Sequence, residues 1–144
     1  VAADAVRRLH KQIGNNSSTI TLPAEWHLPL GYAPWIEEVW VNYLGNAVKY
    51  GGKGCRVDVT VTRQADGMLR YIVTDDGPGV PADRLNELFI PFTRLAQAKI
   101  EGHGLGLSIV KRIIDKLGGE VGVYSEQGKG SSFWFTLPDA GEDR

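Results

Sequence analysis

The stretch EEVWVNYLGNAVKY, Glu37 to Tyr50, decides the fold. It predicts a helix that begins at Pro34, whose fixed φ suits a first helical position, and ends at Gly51-Gly52. At about 100° per residue, one set of polar side chains falls within an arc of roughly 80°: Glu38, Asn42, Asn46 and Lys49. The apolar side chains occupy the opposite side: Ile36, Trp40, Val41, Tyr43, Leu44, Ala47 and Val48. The helix is therefore expected to pack with this apolar side on a sheet.

The polar stripe of this helix has two interpretations. Amides, a carboxylate and an ammonium are costly to bury without partners, so the stripe is either a solvated face or a ligand site. In a ligand site, the amide oxygens of Asn42 and Asn46 would suit a hard metal ion, and the ammonium of Lys49 would suit phosphate. The rest of the chain decides between the two.

Length and composition restrict the class of protein. The chain of 144 residues is long enough for one domain with its own core, 1–144, with an N-terminal helix and linker over 1–17 and a tail over 138–144. With 16 basic against 17 acidic residues, it gives no reason to expect non-specific binding to nucleic acid or direct membrane contact. Its single cysteine, Cys55, excludes an internal disulfide and fits a reducing, cytoplasmic compartment. The first residue is Val1, which suggests a piece of a longer protein.

Hydrophobic periodicity predicts paired strands with helices between them. Besides the central helix, the predicted helices are Ala3–Ile13, Ala82–Leu88 and Leu107–Leu117, and the predicted strands are Thr19–Leu22, Val57–Thr62, Leu69–Thr74, Glu120–Ser125 and Ser131–Leu137. The predicted fold class is α+β, a two-layer α/β sandwich in which a mixed sheet of about five strands is covered on one face by about three helices. The stretch Phe89–His103 has no sustained period, which favours a functional lid or a disordered segment.

A carboxylate and glycines follow the third predicted strand, Leu69–Thr74, in Asp75-Asp76-Gly77-Pro78-Gly79. Glycines permit a sharp turn and the close approach of a flat ligand. The carboxylate of Asp75 would accept a hydrogen bond from the exocyclic amine of adenine and repel the carbonyl that guanine carries there. The alternative is a plain turn.

Two further glycine-rich segments follow. Gly102-His103-Gly104-Leu105-Gly106-Leu107 runs into a helix, whose free N–H groups suit phosphates. It lacks the third glycine of a dinucleotide fingerprint and has no strand directly before it, so a Rossmann site is a poor fit. Gly128-Lys129-Gly130-Ser131 lies between two strands and is typical of a hairpin turn.

Together and in this order, the motifs resemble the N, first glycine, F, second glycine and third glycine boxes of sensor histidine kinases. The matching patterns are NxxxNAxKY (Asn42, Asn46, Ala47, Lys49, Tyr50), DxGxG (Asp75, Gly77, Gly79), FxxFxR (Phe89, Phe92, Arg94), GxGLGL from Gly102 and GxGS from Gly128. The resemblance covers about residues 20 to 137 and is to the catalytic, ATP-binding domain of that family. This domain belongs to the GHKL superfamily of gyrase, MutL and heat-shock chaperone ATPases, and its Bergerat fold agrees with the predicted sandwich.

The resemblance implies a role for each matching position. Asn46 resembles the magnesium-binding amide and Asn42 a second amide that supports it. The positions expected to act in catalysis are Asn42, Glu38 as a possible base, and Lys49 and Arg94 as phosphate contacts. The positions expected to bind the nucleotide are Asn46, Tyr50, Asp75, Gly77, Gly79, Gly102, His103, Gly104, Leu105, Gly106 and Leu107. Among these, Gly102, Gly104 and Gly106 match the hinges of the ATP lid.

The implied reaction uses ATP and Mg²⁺ and moves the γ-phosphate to a histidine nitrogen, from which the family passes it to an aspartate of a response regulator. None of His10, His27 and His103 resembles the family's acceptor motif. The acceptor is therefore expected in a helical dimerisation domain upstream in the full-length protein. That protein is expected to be a homodimer, either soluble or membrane-anchored.

Two alternatives remain open. One is a GHKL-type serine kinase that acts as an anti-sigma factor, and the other is a degenerate, non-catalytic module that binds a nucleotide or another protein. The runs LFIPFTR and GHGLGLSIVKR favour a sensor kinase over the first. The intact Asn46, Lys49 and Asp75 and the lid glycines argue against the second.

Overall fold

The computed structural model describes residues 2–23, 29, 31–51, 54–77, 104–126 and 130–139. Its helices are α1 (Ala2–Arg8), α2 (His10–Asn16), α3 (Ala33–Gly51) and α4 (Gly104–Lys116), and its strands are β1 (Thr19–Thr21), β2 (Arg56–Arg63), β3 (Met68–Asp75), β4 (Val121–Glu126) and β5 (Gly130–Pro138). The five strands form one sheet in the order β1-β2-β3-β5-β4. Only the β1–β2 pair is parallel. The predicted α+β fold with a mixed five-stranded sheet is therefore confirmed.

The strands alternate between a buried and an open face. In β2, Val57 and Val59 are buried and Asp58 and Thr60 are exposed, as the period of two predicts. The sheet is covered on its apolar face by α3 and α4, which contact the strands, and α1 and α2 pack on α3. The core thus lies between one sheet face and the helices.

Helix α3 runs in the same direction as β3. The ring of Trp40 meets that of Tyr71 edge to face, with centroids 5.5 Å apart. One turn later, Tyr43 lies 5.6 Å from Phe133, which pairs with Val73 of β3. Successive turns of α3 therefore advance along the sheet in the direction of β3, and both elements end at the same end of the molecule.

Helix α4 runs antiparallel to α3. At the start of α3, the Trp35 ring lies 5.9 Å from Nζ of Lys116, the last residue of α4. Gly31 lies between the same two ends, because a Cβ there would lie 2.9 Å from Cδ1 of Ile36 and 3.2 Å from Cδ1 of Leu117. The beginning of α4 is therefore directed toward the end of α3.

The structure corrects the prediction at the N-terminus. The predicted single helix Ala3–Ile13 is two helices separated at Leu9, whose N–H is shared between the carbonyls of Ala5 and Val6 at 3.1 Å. Such a shared bond is typical of a tightened turn, and it keeps Leu9 buried. Residues 14–16, predicted to break the helix, continue α2 as far as Ser17, which has a positive φ of 53°. In the predicted tail 138–144, Asp139 Oδ2 accepts a hydrogen bond from Arg63 Nε at 2.8 Å, and residues 140–144 lie outside the described residues.

The structure tests the predicted apolar side of α3 but not the two segments predicted between β3 and α4. The predicted apolar side of α3 is buried except for Val41, which is half-buried, and Val39 joins it as a fully buried residue. The predicted helix Ala82–Leu88 and the lid Phe89–His103 lie outside the described residues. Within the described ranges, no helix combines the length and the hydropathy needed to cross a membrane.

We expect Gly119→Ala to lower the free energy of unfolding by about 3 kcal/mol or more, since an added Cβ would overlap the backbone carbonyl of Thr136, which the rigid sheet cannot move. The matched control is Gly14→Ala in α2, where a Cβ meets nothing within 4 Å. There the higher helix propensity of alanine should raise stability by up to about 1 kcal/mol. Urea denaturation measures both variants, and equal stabilities would contradict the packing described for Gly119.

Candidate functional site

The two amides of the α3 stripe differ in how they are held. Nδ2 of Asn42 donates a hydrogen bond to the backbone carbonyl of Glu38 at 2.7 Å, which leaves Oδ1 as the outward acceptor. Nδ2 of Asn46 is buried and has no hydrogen-bond partner among the described residues. An unpaired buried polar group costs about 1–3 kcal/mol, so such a group marks a position where a ligand would supply the missing contact.

The carboxylate of Glu38 is paired with the N-terminal helix. Arg8 Nη1 donates to Glu38 Oε1 at 2.9 Å and to Glu37 Oε2 at 2.8 Å. These two carboxylates raise the pKa of the Arg8 guanidinium. Sequence reasoning missed this contact, because a pairing across 30 positions leaves no periodic signal. The role of Glu38 as a base stays a prediction.

Asp75 is a buried carboxylate at the end of β3, with 4% of its surface exposed. Its Oδ1 accepts a hydrogen bond from the Gly77 N–H at 2.9 Å, the short turn that the glycine was expected to shape. Burial raises the pKa of Asp75, and the backbone bonds from Gly77 and Ser131 offset part of that rise. Backbone N–H groups of Gly77 and Ser131 therefore hold the carboxylate in place, and each carboxylate oxygen can accept more than one hydrogen bond, so the group can still accept from a donor on a ligand.

The neighbouring strands hold Asp75 in this position. Asp76 points the other way, since its Oδ1 accepts from the Arg56 N–H of β2 at 2.8 Å. On the β5 side, Gly130 has a φ of 94°, and a Cβ there would overlap the carbonyl oxygen of Asp75. Ser131 pairs with Asp75 in the ladder and its Oγ lies 2.8 Å from that of Ser125. The GxGS turn thus supports the site, a role beyond the hairpin turn that its sequence predicts.

Three elements meet at the same end of the helical layer. Asn46 lies one turn beyond Tyr43 on α3, toward the end of β3 that carries Asp75. Helix α4, antiparallel to α3, starts at this end with Gly104. The polar stripe, the strand-end carboxylate and the glycine-rich helix start therefore belong to elements that end or begin at the same end of the helical layer.

The beginning of α4 presents free backbone donors. Gly104, Leu105 and Gly106 form its first turn, and no acidic residue occurs there. The N–H groups of a first helical turn have no partner within the helix and carry positive partial charge, so they suit an anion. Leu107 and Ser108 are buried and fix this turn to the core.

Other predicted site residues cannot be placed. Gly79, Arg94, Gly102 and His103 lie outside the described residues. Lys49 and Tyr50 belong to the last turns of α3, and only their backbone is described. Their predicted roles remain predictions.

The donor set at this end is compatible with a magnesium ion shared with a phosphate ligand. Mg²⁺ takes oxygen ligands and keeps several waters, so one or two protein oxygens suffice when phosphates supply the others. Asn42 Oδ1 is available, and rotating the Asn46 amide by 180° would put its oxygen at the unpartnered position. Within the described part of the chain, no cluster of three or more His, Cys, Asp or Glu side chains could hold a metal ion alone.

Comparison with known sequences identifies related kinases. The adaptive-response sensory kinase SasA of Prochlorococcus marinus is 33% identical over 147 residues, an alignment that covers 96% of this chain and 37% of SasA. The sensor histidine kinase AruS of Pseudomonas aeruginosa is 39% identical over 113 residues, covering 74% of this chain and 11% of AruS. The chain thus spans little more than a third of SasA and a smaller part of AruS.

Comparison with solved structures supports the same relationship. Full-length ShkA in complex with AMPPNP superposes with a TM-score of 0.81 at 29% identity, over 98% of this chain and 30% of ShkA. The catalytic domain of the histidine kinase ThkA superposes with a TM-score of 0.76 over 95% of this chain and 88% of that domain, and at 23% identity it shows the shared fold. A family model described as histidine kinase-, DNA gyrase B- and HSP90-like ATPase matches residues 31–141. Because that match spans most of the chain, the protein belongs to this ATPase family and has the fold of a histidine kinase catalytic domain.

Proposed function

We propose that this chain is the ATP-binding catalytic domain of a two-component sensor histidine kinase. It would transfer the γ-phosphate of ATP to a histidine in a dimerisation domain of the full-length protein, for delivery to a response regulator. The observation that carries the proposal is the meeting of Asn46, Asp75 and the start of α4 at one end of the helical layer. The names of the relatives, SasA and AruS, favour a histidine kinase over the serine kinase considered from sequence.

Asp75 would select the base. Its carboxylate would accept a hydrogen bond from the exocyclic amine of adenine, while the Gly77 N–H holds Oδ1. Because the carboxylate is buried, a carbonyl opposite it would leave two acceptors facing each other without water between them. Guanine is rejected on this ground.

The α3 stripe and the start of α4 would position the phosphates. Asn46 and Asn42 direct amide oxygens toward the phosphate end, and Lys49 and Arg94 offset the charge on the phosphate oxygens. A bound magnesium ion supplies charge neutralisation for phosphoryl transfer. Glu38 serves as a proton acceptor only if Arg8 gives up its hydrogen bond to Oε1, and Glu37 remains as a partner for the arginine.

We expect Asn46→Ala to weaken magnesium-dependent binding of a fluorescent ATP analogue at least about 10-fold, which is about 1.4 kcal/mol. The reason is that the variant removes a buried amide whose nitrogen has no hydrogen-bond partner among the described residues. Gln64→Ala is the matched control, because this amide lies in the turn before β3, at the other end of the strand from Asp75. Unchanged affinity in Asn46→Ala would place the nucleotide elsewhere.

We expect Asp75→Asn to reduce the preference for ATP over GTP, since the asparagine amide can donate to the guanine carbonyl while its oxygen still accepts from Gly77. Competition of ATP and GTP against the fluorescent analogue measures this. A variant with unaltered preference would exclude Asp75 as the base-reading group.

The same variant should unfold no more easily than the parent at pH 7. Burial raises the pKa of Asp75 in the folded state, so its destabilising effect is absent below the ordinary pKa of 3.8 and develops as the pH rises through the raised pKa. The parent should therefore lose stability relative to Asp75→Asn across that window. Urea midpoints at several pH values would show the difference, and a gap that widened toward low pH would contradict this sign.

We expect the fragment alone to give only feeble covalent labelling with γ-labelled ATP, since His10 does not resemble an acceptor. Acid-labile phosphate on the protein, followed with and without magnesium, is the measurement. Strong labelling of His10 would overturn the proposal that the acceptor lies in another domain.

A further inference from the structure

The edge of the sheet formed by β4 is open. Strand β4 is the last in the order β1-β2-β3-β5-β4, so β5 pairs with one side of it, and within the described ranges no segment pairs with the other. The opposite edge strand, β1, has 3 residues, whereas β4 has 6. Natural edge strands are commonly protected by lysine, proline or a bulge. Strand β4 contains neither residue, and its pairing with β5 is continuous, so this edge is accessible to another strand.

The register of β4 and one hydrogen bond identify the backbone groups at this edge. The carbonyl of Glu120, just before β4, accepts from the N–H of Thr136 at 2.8 Å and is therefore directed toward β5. In an antiparallel ladder, alternate residues of a strand bond to the neighbour on one side. Gly122 therefore bonds to β5, and Val121 and Val123 direct their N–H and C=O groups to the open edge.

Beside these backbone groups, the open face of the sheet has a notch at Gly122. A Cβ at this glycine would overlap the indole of Trp134, so the ring lies directly over β4. Cζ of Arg70 lies 4.2 Å from the centroid of the same ring, a cation–π contact that helps to hold it there. Two residues along, Tyr124 is 70% exposed, more than any other large hydrophobic side chain in the described part of the chain. An added strand would therefore meet two aromatic rings on this face.

The inner face and the charge restrict the partner segment further. Val121 and Val123 are half-buried at the margin of the core, so side chains opposite them should be aliphatic. Glu120 is exposed, has no basic partner among the described residues, and shares the open face with Gly122 because the two are two positions apart. A lysine or arginine opposite Glu120 would complete a cross-strand ion pair.

A second copy of this chain fits the edge less well. Antiparallel pairing of β4 with the β4 of another copy, centred on Val123, would set Glu120 opposite Glu126 at both ends of the ladder. Like charges directly opposite each other are destabilising. The charge therefore favours a basic segment of a different protein.

We propose that the open edge of β4 binds an extended segment of a partner protein as an added antiparallel strand. The backbone of the segment bonds to Val121 and Val123, an aromatic side chain packs at Gly122 on the indole ring, and a basic side chain meets Glu120. Main-chain hydrogen bonds provide affinity in this mode of recognition, and alternate side chains provide specificity. Strand β5 separates β4 from β3, which carries Asp75, so the edge lies about two strand spacings, roughly 10 Å, from that strand. The proposal does not depend on ATP binding.

The test uses two fluorescein-labelled peptides with the same side chains, Ile-Thr-Val-Phe-Val-Lys. In the proposed register the third and fifth residues lie opposite Val123 and Val121, the phenylalanine opposite Gly122 and the lysine opposite Glu120. One peptide is N-methylated at the second and fourth residues, whose nitrogens face away from β4, and the other at the third and fifth, whose nitrogens face it. Fluorescence anisotropy should show saturable binding of the first and at least about 10-fold weaker binding of the second, which lacks two donors.

Variants assign the binding to this edge. Val123→Pro should abolish binding of the first peptide, because proline lacks the outward N–H and leaves the bonds to β5 in place. Glu120→Lys should make a peptide that ends in glutamate bind more tightly than the lysine peptide. The matched control is Asp58→Lys, the same change in charge on an exposed side chain of β2, which should leave the preference for lysine unchanged. Circular dichroism establishes that each variant is folded, and the comparison of the methylated peptides uses the parent chain alone.

Two results with the parent chain would rule the proposal out: equal affinity for the two methylated peptides, or no saturable binding of either up to about 1 mM. A third result would do the same. If sedimentation shows dimers of the chain that Val123→Pro abolishes, the edge belongs to a second copy and not to a partner segment.

Discussion

The packing of α3 on the sheet is the interaction on which the rest of the structure depends. Trp40 meets the stacked rings of Tyr71 and Phe135 edge to face, with centroids 5.5 and 5.1 Å away, and the Tyr43 hydroxyl donates a hydrogen bond to the carbonyl of Trp134 at 2.9 Å. Aromatic pairs have preferred geometries, so these contacts fix the rotation and the direction of the helix as well as burying it. Because α3 cannot turn, its polar stripe is held at the edge of the core.

Two polar groups are buried in this structure at a cost in stability. Burial raises the pKa of the Asp75 carboxyl, and the Asn46 amide lacks a partner in the described residues. In the free protein both are destabilising, and a ligand that donates to the one and contacts the other would relieve the cost. Local departures from the most stable choice are expected at binding sites, and these two occur on elements that end at the same end of the helical layer.

Sequence reasoning succeeded where the signal is local. The period of α3 and the alternation of β2 are properties of consecutive residues, and both elements occur within one or two positions of their predicted ends. Sequence reasoning failed where a contact between residues far apart in the sequence determines the local structure. The interruption at Leu9 depends on packing against α3, and Arg8 meets Glu38 across 30 positions. Gly130 matters because a strand passes beside Asp75, which is visible only in three dimensions.

The two ends of the helical layer depart from an ordinary soluble surface in opposite ways. At one end polar groups are buried without full pairing, around Asn46, and at the other apolar rings are exposed, around Trp35. Exchanging the two, with apolar groups inside and paired polar groups outside, would give a more stable domain. Since α3 carries both departures and aromatic contacts lock it in place, one rigid helix holds the buried Asn46 amide at one end and the exposed Trp35 ring at the other.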